Sequence, residues 1–270
     1  MIDRIHFISG LPRSGSTLLS ALLRQNPKFT AAISSPVYRI CGSVHETTMH
    51  IDFKDMFDEE RRAVMLRGVF NSYYGAVSDK LVFDTNRNWT ARLPLLGRLY
   101  PQSRIICCVR DIGRIIDSFE NVFAKNPLDI PKMFSGQPAG SVYARSEIMM
   151  NITTGVVGLP WSSLREAWFG SETNRLIVIP YDNLAKHPQR TLERLYQELN
   201  EPLFEHDLNH LDFDEPQYDA DAGMPGLHKV RPRVEFQERE PIIPPDLFKK
   251  YEGTHFWDKP ELNTRSIRII

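Results

Sequence analysis

Short apolar runs alternate along this chain with longer stretches in which apolar positions recur every three to four residues. That alternation is expected of a parallel sheet covered by crossover helices. Ile5-His6-Phe7-Ile8 predicts a first strand. A turn with two glycines follows, then a helix with Leu18/Leu22 and Leu19/Leu23 one turn apart, ended by Pro27. Residues 53–79 carry an amphipathic helical pattern, Leu81-Val82-Phe83 a second strand, and Ala91–Leu99 the helix after it. Arg104–Val109 is nearly all apolar, which predicts a central strand covered on both faces. Helical patterns at Ile112–Ala124, 143–157, 161–169 and Gln189–Leu199 surround a fourth strand, Leu176–Ile179. Residues 125–142, broken by Pro127, Pro131, Gly136, Pro138 and Gly140, read as a long loop or lid. Beyond Pro202 the pattern loses its regularity. The expected architecture is α/β, a P-loop-type three-layer fold with a central parallel sheet flanked by helices. One domain spans 1–270, with an irregular tail (about 203–270) wrapping the cleft.

Length fits this picture, because 270 residues is large for one domain and short for two. With 41% hydrophobic and 25% charged residues, disorder and fibrous repeats are excluded. Lys and Arg (33) balance Asp and Glu (34), a net charge of −1, so no global basic field attracts nucleic acid or an anionic membrane. Any anion must be held by a local site. Cys41, Cys107 and Cys108 form no disulfide framework, and no Cys/His spacing suggests a metal site. The stretch Ile5–Ile8 is too short for a secretion signal, and no apolar run approaches the ~20 residues of a membrane helix. A reduced, cytoplasmic protein without membrane insertion is expected.

The local site is the turn Gly10-Leu11-Pro12-Arg13-Ser14-Gly15-Ser16-Thr17 between first strand and first helix. A strand-to-helix turn with two glycines aims unpaired backbone N–H groups at one point, at the positive end of a helix dipole. Ser14, Ser16 and Thr17 add hydroxyls, and Arg13 adds a forked, fixed charge. The frame imitates a nucleotide triphosphatase loop, but Ser16 stands where its lysine belongs, which disfavours ordinary ATP chemistry.

Pro12-Arg13-Ser14-Gly15-Ser16-Thr17-Leu18-Leu19 resembles the 5′-phosphosulfate loop of the sulfotransferases, especially the tyrosylprotein sulfotransferase-like and bacterial branches. The resemblance implies 3′-phosphoadenosine-5′-phosphosulfate (PAPS) as co-substrate, 3′,5′-bisphosphoadenosine as product, and no metal. Family members hold the 3′-phosphate with an Arg at a central strand end and a Ser on the next helix; here Arg110 and Ser118 match that motif. Leu176–Leu184 resembles the family's strand-then-Tyr segment, pointing to Tyr181 near the nucleotide, with a plain strand-end aromatic as the alternative. Gly223–Arg231 is similar to a bacterial segment in which His228, Lys229 and Arg231 would close over the phosphates, or else form a solvated basic loop. Gly15 completes the residues carried over to the donor.

Sulfuryl transfer requires in-line attack, cationic stabilisation of the leaving oxygen, here assigned to Arg13, and a base for the acceptor proton. The chain departs from the tyrosylprotein branch at this base. Its Glu-Glu segment falls on Ile33-Ser34-Ser35, and the zone Leu81–Trp89 offers Asp84 but no His. His45, Glu46 and Asp84 are the candidates, and the sequence leaves the choice among them open. Also open are the acceptor (small molecule, glycan or peptide) and the oligomeric state. Phe53, Phe57, Tyr73, Tyr74, Trp89 and Tyr143 are aromatics able to line an acceptor pocket or to serve as packing. A P-loop kinase, or a protein that binds the donor without catalysis, are the competing readings.

Overall fold

A computed structural model describes residues 2–125, 127–128, 131–213 and 215–270. Its sheet has six strands: β1 (Ile5–Gly10), β2 (Phe29–Ala31), β3 (Leu81–Thr85), β4 (Ile105–Val109), β5 (Leu176–Pro180) and β6 (Arg268–Ile269). They lie in the order β2-β3-β1-β4-β5-β6, every pair parallel. β1, β3 and β4 are buried along their whole length, β4 as an unbroken apolar run and β1 and β3 with polar residues such as Ser9 and Asp84 buried among apolar ones. Side chains alternate between faces with the two-residue period of a strand. Phe7, Ile105, Cys107 and Val178 enter one core, and Ile8, Ile106, Cys108 and Ile177 enter the other.

Helices cover both faces. The first face receives α3 (Glu59–Tyr74), α4 (Leu93–Leu99), α5 (Ile112–Lys125) and α7 (Gly158–Phe169), through residues such as Phe70, Leu96, Ile116 and Trp168. The second receives α1 (Ser16–Leu23), α8 (Tyr181–Lys186) and α9 (Pro188–Leu199), through Leu22, Leu184 and Leu195. The remaining helices are α2 (Val37–Met49), α6 (Val142–Met150), α10 (Pro216–Asp221) and α11 (Pro245–Lys250). The architecture is the expected mixed α/β fold with a central parallel sheet flanked by helices. Among the described residues no helix is long and apolar enough to cross a membrane.

Several expected boundaries move, each for a local reason. The 53–79 pattern contracts to α3, whose N-terminus is capped by the Asp58 carboxylate accepting from the Arg61 N–H at 2.7 Å. The 143–157 pattern stops at Met150, because the Asn151 side chain accepts from the N–H groups of Thr153 and Thr154 and turns the chain. α2 and α8, and the edge strands β2 and β6, were not foreseen. Part of the 125–142 loop, at 126, 129 and 130, lies outside the described residues; within the rest, Phe134 is buried in the first core.

The sheet order sets where a ligand fits. After β1 the chain lays β2 at one edge and β3 between it and β1, then crosses to lay β4, β5 and β6 in order on the other side. The carboxyl ends of β1 and β4 therefore flank the switch point at which parallel α/β sheets bind ligands. Gly10 closes β1 there with φ 104°, and a Cβ on it would meet the Cys108 carbonyl oxygen at 2.2 Å. Gly10→Ala is expected to lower stability by about 3 kcal/mol or more, as read from the urea midpoint, since neither the backbone angle nor the neighbouring strand leaves room.

Candidate functional site

A cleft of about 1170 Å³ opens at the carboxyl ends of the strands. Its floor is the turn between β1 and α1. The Leu11 N–H donates to Cys108 O at 2.8 Å and the Leu19 N–H to Gly15 O at 2.8 Å. Between them, the N–H groups of residues 13–18 have no backbone partner among the described residues, the open donor set of a helix N-terminus. Arg13 (φ 58°) and Gly15 (φ 91°) both take the left-handed backbone that folds the turn. Arg13 does so without glycine's freedom, a strain of ~1–3 kcal/mol of the kind found at functional sites.

Arg13 is held from two sides. Its Nε donates to Ser118 Oγ on α5 at 3.0 Å, and its Nη1 donates to the carbonyl of Leu227 in the tail. Burial and the nearby Arg110 guanidinium bring its pKa down to about 10, so it stays charged at neutral pH. Arg110, just past β4, donates to Arg13 O at 3.2 Å and lies over the Tyr181 ring at 4.0 Å. Arg13, Gly15, Ser16, Thr17, Arg110, Ser118, Tyr181, His228, Lys229 and Arg231 all line this one cleft. Residues as far apart as 13, 118 and 231 are thereby brought together.

Ser14 departs from the expectation, since its buried hydroxyl donates to Pro12 O at 3.2 Å and shapes the turn. Arg231 is exposed and near Glu235 at 3.6 Å. Arg239, which the sequence reading passed over, also lines the cleft and pairs with the fully buried Asp117. Glu235 is the one acidic residue among the described lining residues, so a chain of near-zero net charge concentrates cations at this place.

The three base candidates lie away from the cleft lining. His45 and Glu46 lie well along α2, and neither lines the cleft; α2 presents Tyr38 and Arg39, from its first turn. Asp84 is fully buried and absent from the lining. Its oxygens accept from Ser35 Oγ, the Tyr74 hydroxyl and Trp89 Nε1, each at 2.6 Å. Burial raises its pKa against these three hydrogen bonds. It ties β3 to the segment that leads into α2, to the end of α3 and to the turn at 89–92. The six aromatics also lie elsewhere: none of Phe53, Phe57, Tyr73, Tyr74, Trp89 and Tyr143 lines the cleft, and Trp89 is a core residue.

A different acid–base pair does face the cleft. His228 Nδ1 lies 2.5 Å from Asp219 Oδ1, and the His228 backbone N–H donates to Asp219 Oδ2 at 2.8 Å. Asp219, on α10, is buried. The other ring nitrogen, Nε2, has no partner among the described residues. Burial lowers the His228 pKa below the ordinary imidazole value, more than Asp219 raises it, so the ring is neutral at pH 7. Sequence reading placed His228 near the phosphates but had no signal for Asp219, nine residues earlier in an irregular segment.

Residues 6–206 match the model of the sulfotransferase family. Among solved structures, the sulfotransferase domain from the curacin biosynthetic pathway is similar over 93% of this chain and 96% of that one, with 17% identity and a TM-score of 0.58. The sulfotransferase domain from the Synechococcus PCC 7002 olefin synthase matches 93% of this chain and 87% of its own, at 17% identity and TM-score 0.52. A sulfotransferase from Alicyclobacillus acidocaldarius gives 80% and 88%, 15% identity and TM-score 0.50. These likenesses are of fold. No curated protein sequence matches this chain.

Asp84→Ala orphans three buried donors and is expected to lower stability by roughly 3–4 kcal/mol in chemical denaturation, the cost of unsatisfied buried polar groups. A catalytic role would instead leave the unfolding midpoint unchanged while removing activity.

Proposed function

This chain belongs to the sulfotransferase family, and we propose that it moves a sulfuryl group from PAPS to a hydroxyl or amine of an acceptor. The observation that carries the donor reading is the convergence of the open N–H groups of residues 13–18 with Arg13, Arg110 and Ser118 at the β1/β4 switch point. Two anion sites of that kind, one at a helix N-terminus and one at a neighbouring strand end, fit a nucleotide bearing both a 5′ and a 3′ acidic group. The 13–18 turn and Arg13 would hold the 5′ group, Arg110 and Ser118 the 3′-phosphate, and Tyr181 the nucleotide between them. Arg239, Lys229 and Arg231 add positive charge from the tail. When bound, PAPS supplies the activated sulfuryl group.

In this reading the chain's own residues do three things. Arg13 and the helix N-terminus stabilise the charge that grows on the leaving oxygen. His228 Nε2 accepts the acceptor's proton, and the buried Asp219 keeps the proton on Nδ1 and steadies the imidazolium that forms. The tail excludes water, since the Arg13–Leu227 contact fastens it across the turn. The kinase alternative is not favoured, because Ser16 occupies the lysine position of the loop.

Three outcomes are expected. Arg13→Ala should abolish transfer and weaken 3′,5′-bisphosphoadenosine binding by ~2–4 kcal/mol in calorimetry. Wild type should bind this bisphosphate about 30- to 1000-fold more tightly than 5′-AMP, and Arg110→Ala should erase most of that preference; equal affinities in wild type would end the donor reading. His228→Ala should cost about 10²–10⁴-fold in kcat. Because the base acts in its neutral form and its pKa is lowered, wild-type kcat/KM should fall only on the acid side, with its midpoint below the ordinary imidazole value. A fall that begins well above pH 7 would assign the base elsewhere.

A further inference from the structure

β1 divides the cleft in two. Arg110 and Tyr181 stand at the ends of β4 and β5 on one side, and residues 33–35 and 85–88 at the ends of β2 and β3 on the other. If the nucleotide occupies the first half, the acceptor occupies the second. We propose that this second half recognises an anionic group, carboxylate or phosphate, on the acceptor, with Arg87 as its principal ligand; the assignment of halves rests on the donor reading above.

Arg87 is placed rigidly. Ser9 Oγ on β1 donates to its carbonyl at 2.9 Å, and the same oxygen accepts from the Thr90 N–H at 3.2 Å. The flanking Asn86 N–H donates to Ile8 O at 3.0 Å, and Asn86 Oδ1 accepts from the Asn88 N–H at 3.1 Å. The backbone of this turn is thus fixed by four hydrogen bonds, while the guanidinium it carries has no hydrogen-bond or ion-pair partner among the described residues. The other arginines of the cleft floor differ. Arg13 contacts Ser118 and Leu227, Arg110 contacts Arg13 O, and Arg239 pairs with Asp117.

Arg87 lines the cleft. Burial lowers its pKa. A guanidinium desolvated without a partner is costly, and a bound anion removes that cost. Its planar fork suits a carboxylate or phosphate bidentately. Two neighbours reinforce the ligand reading: Thr85 Oγ1 and Asn88 Oδ1 are buried in residues that line the cleft, and have no hydrogen-bond partner among the described residues. Arg39 adds a second, exposed cation, and Val156 and Leu159 supply apolar lining beside α7, which packs against the turn at 89–92. The acceptor that fits is a small apolar body with a hydroxyl or amine at one end and an anionic group at the other.

The test uses three probes with one phenol and different tails: 4-hydroxyphenylacetate, 4-hydroxyphenyl phosphate and the neutral 4-hydroxyphenylacetamide. Each is titrated calorimetrically into protein saturated with 3′,5′-bisphosphoadenosine. The expected result is at least about tenfold tighter binding of an anionic probe than of the amide. That preference should vanish in Arg87→Met and return in part in Arg87→Lys, while bisphosphate affinity stays within about twofold of wild type. The tighter of the two anions identifies whether carboxylate or phosphate is recognised. Equal binding of amide and anions, survival of the preference in Arg87→Met, or no saturable binding of either anion overturns the proposal. Failure of wild type to bind the bisphosphate is a separate result that overturns the donor reading; the Arg87-dependence of anion binding to the nucleotide-free protein then decides Arg87 alone.

Discussion

Two arginines from distant parts of the chain, Arg13 and Arg110, sit side by side at the switch point of a parallel sheet, and each depresses the stability of the other's charge. The fold tolerates this by surrounding them with partial compensation. The Tyr181 face lies under Arg110, carbonyl oxygens of residues 13 and 227 accept from the pair, and the buried carboxylates Asp117 and Asp219 lie behind the cleft. None of these is a full counter-charge placed between the two guanidinium groups. The unpartnered N–H groups of residues 13–18 point to the same deficit. In the proposed function a ligand with two acidic groups would complete this cleft, and the contacts around it hold those cations in place.

The tail is the main instrument of that holding. The segment after residue 206 lies beyond the family match, yet it returns across the cleft and is fastened at several points. Leu227 accepts from Arg13, Arg239 pairs with Asp117 while its carbonyl accepts from Arg114, and the Ile242 N–H donates to Asp117. Further on, His255 lies 2.9 Å from Asp111, and Ile270 bonds back to Val178 in the sheet. α5 is therefore the shared support: its first half carries Ser118 and Asp117 toward the cleft, and the tail is strapped over it. The same segment delivers His228 and its carboxylate partner. In the proposed function, donor grip and acceptor activation would thus be coupled through one irregular stretch of chain.

The parts of this arrangement that were legible in sequence are those whose signal is local. A buried central strand shows as a short apolar run, and each of β1, β3, β4 and β5 carries one (Phe7-Ile8, Leu81–Phe83, Ile105–Val109 and Leu176–Ile179); the turn at 10–17 carries its chemistry in adjacent letters. β2 and β6, three and two residues long, are too short to show any period. His45 and Glu46 stand off from the cleft for a geometric reason. A helix rises 1.5 Å per residue, so positions 45 and 46 lie roughly 10 Å along the axis from Tyr38 and Arg39, which reach the cleft. Asp84 stands at a strand end, where catalytic groups are common, but hydrogen bonds from two helices and a turn turn it inward. The Asp219–His228 pair and the isolation of Arg87 are properties of three-dimensional packing, invisible to spacing.

The central claim is that the cleft's excess cations are arranged for a 3′,5′-bisphosphorylated nucleotide. The most direct measurement is the thermal unfolding midpoint with 3′,5′-bisphosphoadenosine or ATP–Mg²⁺ at matched concentrations, because a ligand that binds the native state raises stability by RT ln(1 + [L]/Kd). At 100 Kd that is about 2.7 kcal/mol, a rise of roughly 4–8 °C for a chain whose unfolding entropy is scaled to this size or smaller. The account predicts such a rise with the bisphosphate and little or none with ATP–Mg²⁺. An equal or larger rise with ATP–Mg²⁺ would contradict it.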